Sequence, residues 1–322
     1  MKKNIIILLL IAFSLMGYAE NFAPVGTSTG QFLTVGVGGR EVAMGEAVTA
    51  ITSGSGSVFW NPAGLVDGNS NDIYVAYNQW PAGIHVGGLS YAYNNPKIGV
   101  FSINTKYVNF GDMEITTEQA PDGTGEMLQM SNYCIGLSYG RYLTDKVSIG
   151  LTAKLVNERY GTNGYTTVAW DVGLLYRANF RNLKIGMSIM NFSNKVQFNG
   201  SFIDYSYARS YLTGVEVPFD SWSLPMTFRF GAVIDVINKG ASKLIAAIDM
   251  VHPNDNVEQY NIGVEYAYND MVFIRAGYQL SAYEGGLSGG IGFKWNMINI
   301  DYAISALGNL GLTNRLSLGF NI

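Results

Sequence analysis

Apolar residues recur at every second position over most of this chain. After residue 19, no run reaches the ~18 consecutive apolar residues of a membrane-spanning helix. Residues 147–155 set Val147, Ile149, Leu151, Ala153 and Leu155 on one face, against Ser148, Gly150, Thr152 and Lys154 on the other. Residues 183–189 and 260–269 repeat the pattern, and the last strand sets Leu316, Leu318, Phe320 and Ile322 against Arg315, Ser317, Gly319 and Asn321. The second face is too polar and too rich in glycine for the core of a soluble sandwich. An apolar face toward lipid and a polar face toward a lumen is the repeat of a transmembrane β-barrel. Lipid cannot satisfy an open sheet edge, so such a sheet must close on itself.

The period predicts an all-β, closed antiparallel barrel of about fourteen strands. The expected spans are 72–80, 84–94, 97–109, 129–141, 146–160, 166–178, 182–192, 225–237, 242–251, 258–269, 271–281, 286–295, 297–306 and 314–322. If the first strand runs outward, every periplasmic connection is a short turn, as at Asn95-Pro96, Asp270 and Asn296. The two longest connections, 110–128 and 193–224, then share the outer side. Aromatic residues near strand ends, among them Tyr74, Trp80, Trp170, Tyr176, Tyr268 and Trp295, are expected to form interfacial girdles.

Residues 1–19 read as a secretory signal. Lys2 and Lys3 precede an apolar stretch from Ile5 to Leu15, and Gly17-Tyr18-Ala19 closes it with small residues at the positions a peptidase reads. Residues 20–71 do not alternate. They are rich in Gly, Ala, Ser and Thr, with a helix-like stretch Glu41–Ala50. They are expected to form a plug packed inside the barrel of residues 72–322.

Composition narrows the function. Only 14% of residues are charged, the net charge is -4 and no basic run occurs, which excludes a nucleic-acid partner. One cysteine, Cys134, and two histidines, His85 and His252, leave no multi-ligand metal site and no cofactor. No Gly-x-Ser-x-Gly elbow or other catalytic constellation is present, so a non-enzyme is expected. Asp112, Glu114, Glu118, Asp122 and Glu126 share one outer loop, at a spacing that matches no calcium loop.

Three blocks carry a family likeness. The first runs Gly38-Gly39-Arg40-Glu41-Val42-Ala43-Met44-Gly45, then Phe59-Trp60-Asn61-Pro62-Ala63-Gly64-Leu65. The second runs His252-Pro253-Asn254-Asp255-Asn256, Gly263-Val264-Glu265-Tyr266 and Arg275-Ala276-Gly277-Tyr278. The third is Gly308-Asn309-Leu310-Gly311 with Asn314-Arg315-Leu316-Ser317-Leu318-Gly319-Phe320. In this order they resemble the PorV/PorQ family within the FadL-like outer-membrane barrels. The family commonly has His where Asn314 stands and an aromatic where Ile322 stands. The resemblance implies a fourteen-stranded barrel with an N-terminal plug, in the outer membrane of a diderm bacterium. Its plug motif maps onto Arg40, Met44, Gly45, Asn61, Pro62 and Gly64. It also implies partners: outer-membrane lipid, and, as in type IX secretion, the translocon and the C-terminal domains of cargo. The alternative it implies is a FadL-like transporter of long-chain fatty acids or other hydrophobic molecules.

Two residue sets bear on these readings. Phe198, Phe202, Tyr205, Tyr207, Tyr211, Phe219 and Trp222 make loop 193–224 a candidate surface for a partner or ligand. Arg229, Asp249, Glu265, Arg275, Lys294, Asp301 and Arg315 are expected to face the lumen, with Arg229 beside Asp249, Glu265 beside Arg275 and Lys294 beside Asp301. Inward charges need partners or water.

Overall fold

The structure is a computed structural model that describes residues 24–68, 71–205, 214–280 and 286–322. The alternating segments close into one antiparallel barrel of fourteen strands. In chain order the first seven are β1 Asp72–Gln79, β2 His85–Asn95, β3 Gly99–Asn109, β4 Met130–Thr144, β5 Val147–Tyr160, β6 Asn163–Arg177 and β7 Lys184–Ser193. Four short strands then lie outside the wall: β8 Val196–Gln197, β9 Ser201–Asp204, β10 Val215–Pro218 and β11 Ser221–Trp222. The wall resumes with β12 Thr227–Lys239, β13 Ser242–Pro253, β14 Gln259–Tyr268, β15 Val272–Leu280, β16 Leu287–Trp295, β17 Ile298–Ala306 and β18 Leu312–Asn321. β1 pairs with β18 from Asp72↔Asn321 to Gln79↔Asn314, which closes the sheet.

Side-chain parity follows the alternation. Leu151 and Ile262 are each 45% exposed on the outside, and Ile149, Met187 and Val264 lie on the same surface. Ser148, Asn261 and Ser317 are buried inside. A one-residue slip would invert every position, so these pairs determine the register. Short turns occupy one end. Asn269 and Asp270 join β14 to β15 with φ of 53° and 51°, and Met271 N donates to Tyr268 O at 3.0 Å. Two central residues with positive φ make the tight hairpin whose twist matches that of its strands. Long connections occupy the other end, which in such barrels is the outer one.

Two of the expected girdle aromatics turn inward instead. Tyr74 Oη donates to Glu41 Oε2 at 3.0 Å, and Trp80 lines a cavity inside the barrel. The helix-like stretch is also shorter than its sequence implies: one helical turn spans Gly39–Ala43, after which Gly45 and Glu46 take φ of 63° and 61°. Left-handed backbone at two consecutive residues ends a helix.

Candidate functional site: a lumen divided by the N-terminal segment

Residues 24–68 pass through the barrel, and the wall accommodates them with glycine. A carbon attached to Gly277 would lie 2.0 Å from Gly45 N, and one on Gly263 would lie 2.4 Å from Met44 O. On the opposite wall, Gly150 meets the Pro62 carbonyl carbon at 2.2 Å, Gly173 meets Asn61 Oδ1 at 2.1 Å and Gly186 meets Thr49 O at 2.3 Å. Each is an inward position where any side chain would collide with plug backbone or with the Asn61 amide. The glycine content of 39 in 322 is therefore in part a packing requirement.

Polar side chains then fasten this segment. Asn61, fully buried, donates through Nδ2 to Thr49 O at 2.8 Å and to Leu174 O of β6 at 3.3 Å. Its Oδ1 accepts from Ala63 N at 3.1 Å, capping a 3-10 turn that Pro62 opens. Gly64 lies against Thr52 O, where a side-chain carbon would come to 2.4 Å. Trp60 Nε1 donates to Val37 O at 2.9 Å. Met44 is fully buried in the cluster with Trp60, Leu175 and Val233.

The wall's carboxylates do similar work. Asp249 Oδ2 accepts from Val48 N and Thr49 N at 2.9 Å each, and from Thr49 Oγ1 at 2.6 Å. Arg40 forms a two-pronged pair with Glu265, with Nε and Nη2 each at 2.9 Å. Arg275 Nε donates to the same carboxylate at 2.6 Å, and its Nη1 donates to Asp301 at 2.7 Å. At the short-turn end, Asp67 meets Lys184 at 3.0 Å and accepts from Tyr142 Oη at 2.8 Å, with Arg177 on its other side.

Of the three expected cross-strand pairs, Glu265–Arg275 forms and two do not. Arg229 pairs with Glu46 of the plug at 3.4 Å, because Asp249 leans over Gly231 toward Thr49. Asp301 is taken by Arg275, which reaches it across Gly292; Lys294 has no carboxylate within 4.0 Å among the described residues. The plug decides the partners of Arg229 and Asp249, and a strand one further along the wall decides that of Asp301. Among the described residues, Arg315 bonds only hydroxyls, Ser305 Oγ and Thr313 Oγ1.

The plug separates two cavities that share no lining residue. The inner one, 610 Å³, is bounded by Arg40, Asp67, Asp72, Lys184, Lys243, Glu265 and Lys294. The outer one, 520 Å³, is bounded by Trp60, Trp80, Lys106, Lys154, Arg229, Asp255 and Arg315. Beside the outer cavity, Phe32, Val86, Val108, Cys134, Tyr165 and Leu224 form an apolar cluster.

The long outer loop folds onto this cluster. β8 pairs with β11 and β9 with β10, giving two short ribbons. Phe198 contacts Tyr160, Tyr165 and Phe219 at ring distances of 6.2, 5.0 and 6.3 Å, and Phe202 continues to Phe219 at 5.6 Å. Phe202, Tyr205 and Trp222 remain exposed, while Tyr207 and Tyr211 lie outside the described residues. Sequence reasoning missed Lys106, which donates to Leu33 O at 2.9 Å and to Val35 O. Its inward parity on β3 was the available signal. Among the described residues, no group of His, Cys, Asp or Glu is arranged to hold a metal.

No protein-family model matches the sequence, and no curated protein does. Solved structures do match in fold. The monoaromatic hydrocarbon channel CymD superposes with a TM-score of 0.64 at 13% identity, over 89% of this chain and 98% of that one. The Pseudomonas putida toluene transporter TodX gives 0.58 at 15% identity, over 88% and 97%. A Pseudomonas aeruginosa FadL homologue gives 0.56 at 10% identity, over 89% and 99%. The chain thus has the fold of FadL-type outer-membrane channels. That likeness is one of fold, and nothing in it supports the type IX secretion reading.

Proposed function

We propose that this chain is a non-enzymatic transporter of FadL type in the outer membrane, admitting small apolar or amphipathic molecules from the cell surface. The observation that carries the reading is the divided lumen. The two cavities are separated only by a segment held through non-covalent contacts, which is the resting arrangement of a gated route rather than an open pore. The described parts of the outer loop, 193–205 and 214–224, act in this reading as a cover over the entrance, since Phe198 packs on Tyr165 and Phe219 on Phe198.

The test is uptake by whole cells of a Gram-negative host that lacks its own barrels of this type. Cells making the full chain should accumulate labelled toluene or a long-chain fatty acid faster than vector controls. Accumulation equal to the controls, with the barrel folded in the outer membrane, overturns the reading. The secretion alternative would instead require that shortening residues 198–222 abolish surface display of exported proteins.

A further inference from the structure

The outer cavity carries an imbalance that the plug's fastening does not use. Its walls hold Lys106, Lys154, Arg229 and Arg315, against the carboxylates of Glu46 and Asp255. Lys154 is matched by Asp171 at 2.8 Å, and Arg229 by Glu46. Lys106 and Arg315, 4% and 3% exposed, have no carboxylate within 4.0 Å among the described residues. A buried cation without a counter-charge is strongly disfavoured. Two buried donors on the same wall also lack acceptors: Arg315 Nε and Trp80 Nε1. Both line the outer cavity at one seam: Arg315 of β18 pairs with Asn78 of β1, and Trp80 follows two residues later. Unmatched positive charge and unmatched N–H groups call for the same complement, an oxyanion.

We propose that the outer cavity is an anion site on the β1–β18 seam, and that its ligand is a small organic carboxylate about the size of one substituted ring. The cavity, 520 Å³, has room for a ligand of that size, and Trp80 on its wall offers an apolar surface for the ring. The carboxylate would accept from Arg315 and Trp80, with Lys106 supplying charge. The inference rests on the reading that solutes enter through this cavity, and it separates this chain from structural neighbours described as hydrocarbon channels.

The test is equilibrium dialysis of radiolabelled benzoate against the folded full-length barrel in a neutral detergent, with toluene and inorganic phosphate as competitors. Benzoate should bind saturably, and neither toluene nor phosphate should displace it at equal concentration. Arg315→Gln should weaken binding about tenfold or more, the scale of one charged hydrogen bond. Trp80→Phe removes a donor that makes no bond in the fold, so it tests the site even if Arg315→Gln fails to assemble; it should weaken binding several-fold. Binding unchanged in Trp80→Phe and in folded Arg315→Gln overturns the proposal. So does displacement by phosphate, which would leave a site that reads charge alone. Cells that take up toluene while the protein binds no benzoate overturn this inference and leave the transporter reading standing; loss of both overturns both.

Discussion

The inner half of the lumen is lined by more charges than the outer half, of both signs, and the two halves use their charges differently. On the inner side, Arg40 and Arg275 share Glu265, Arg275 continues to Asp301, and Asp67 collects Arg177 and Lys184. On the outer side, Lys106 and Arg315 meet only carbonyls and hydroxyls among the described residues. Buried ion pairs contribute little net stability, because desolvation offsets attraction, but breaking one partner out of a network is costly. The inner half is therefore a fastening whose parts depend on one another. The outer half keeps polar groups at a cost that the fold alone does not recover, which is the signature of a surface built for something else.

The largest contrast comes from charge removal. Glu265→Gln removes the carboxylate that Arg40 and Arg275 share, leaving Arg275 with Asp301 and Arg40 without its ion pair, and should destabilise the plug by about 3 kcal/mol. Lys106→Met orphans no charge, and should cost less than about 2 kcal/mol despite two lost hydrogen bonds to carbonyls. Denaturant unfolding of the two variants, followed through protease release of residues 24–68, ranks them. Equal losses would erase the distinction between the halves.

A smaller effect separates the two faces of the wall. Gly277→Ala drives a methyl group into plug backbone at 2.0 Å, where neither side can give way, and should cost about 1–3 kcal/mol. Gly87→Ala meets the Tyr107 ring on the outside, which can rotate away, and should change the midpoint little. If both variants retain a protease-resistant plug, the glycines are not what admits it.

Parity explains what the sequence could and could not disclose. All fourteen wall strands were legible because lipid and lumen impose opposite chemistry on neighbouring residues such as Ser148 and Ile149. The short turns at Asp270 and Asn296 were legible because few side chains tolerate positive φ. The partners of inward charges were not. Arg229 and Asp249 lie on adjacent strands with opposite sign, yet each turns to a different plug residue, Glu46 and Thr49. Such contacts join positions about 200 residues apart, and local periodicity carries no information about them. The same blindness applied to Tyr74 on β1 and to Trp80 just past its end, whose aromatic character suited a girdle while their positions turned them inward.

The smallest expected effect is a pH dependence at the inner rim. Burial alone would raise the Asp67 carboxyl, but Lys184 and Arg177 beside it outweigh burial and hold it below its ordinary value. A carboxylate depressed in the folded state stabilises that state at pH above its unfolded value, and the contribution fades as pH falls through the folded one. The clamp on the end of the plug should therefore hold at neutral pH and loosen in the window below about pH 4. Protease release of residues 24–68, measured down to about pH 2.5 in the wild type and in Asp67→Asn, isolates this group from the other carboxylates. The variant should be more easily released at pH 7, and the two curves should converge at the acid end, where Asp67 is protonated and resembles the amide. Parallel curves across the whole range would mean that Asp67 holds the plug through hydrogen bonds such as that from Tyr142, and that the charges of Arg177 and Lys184 contribute nothing to the latch.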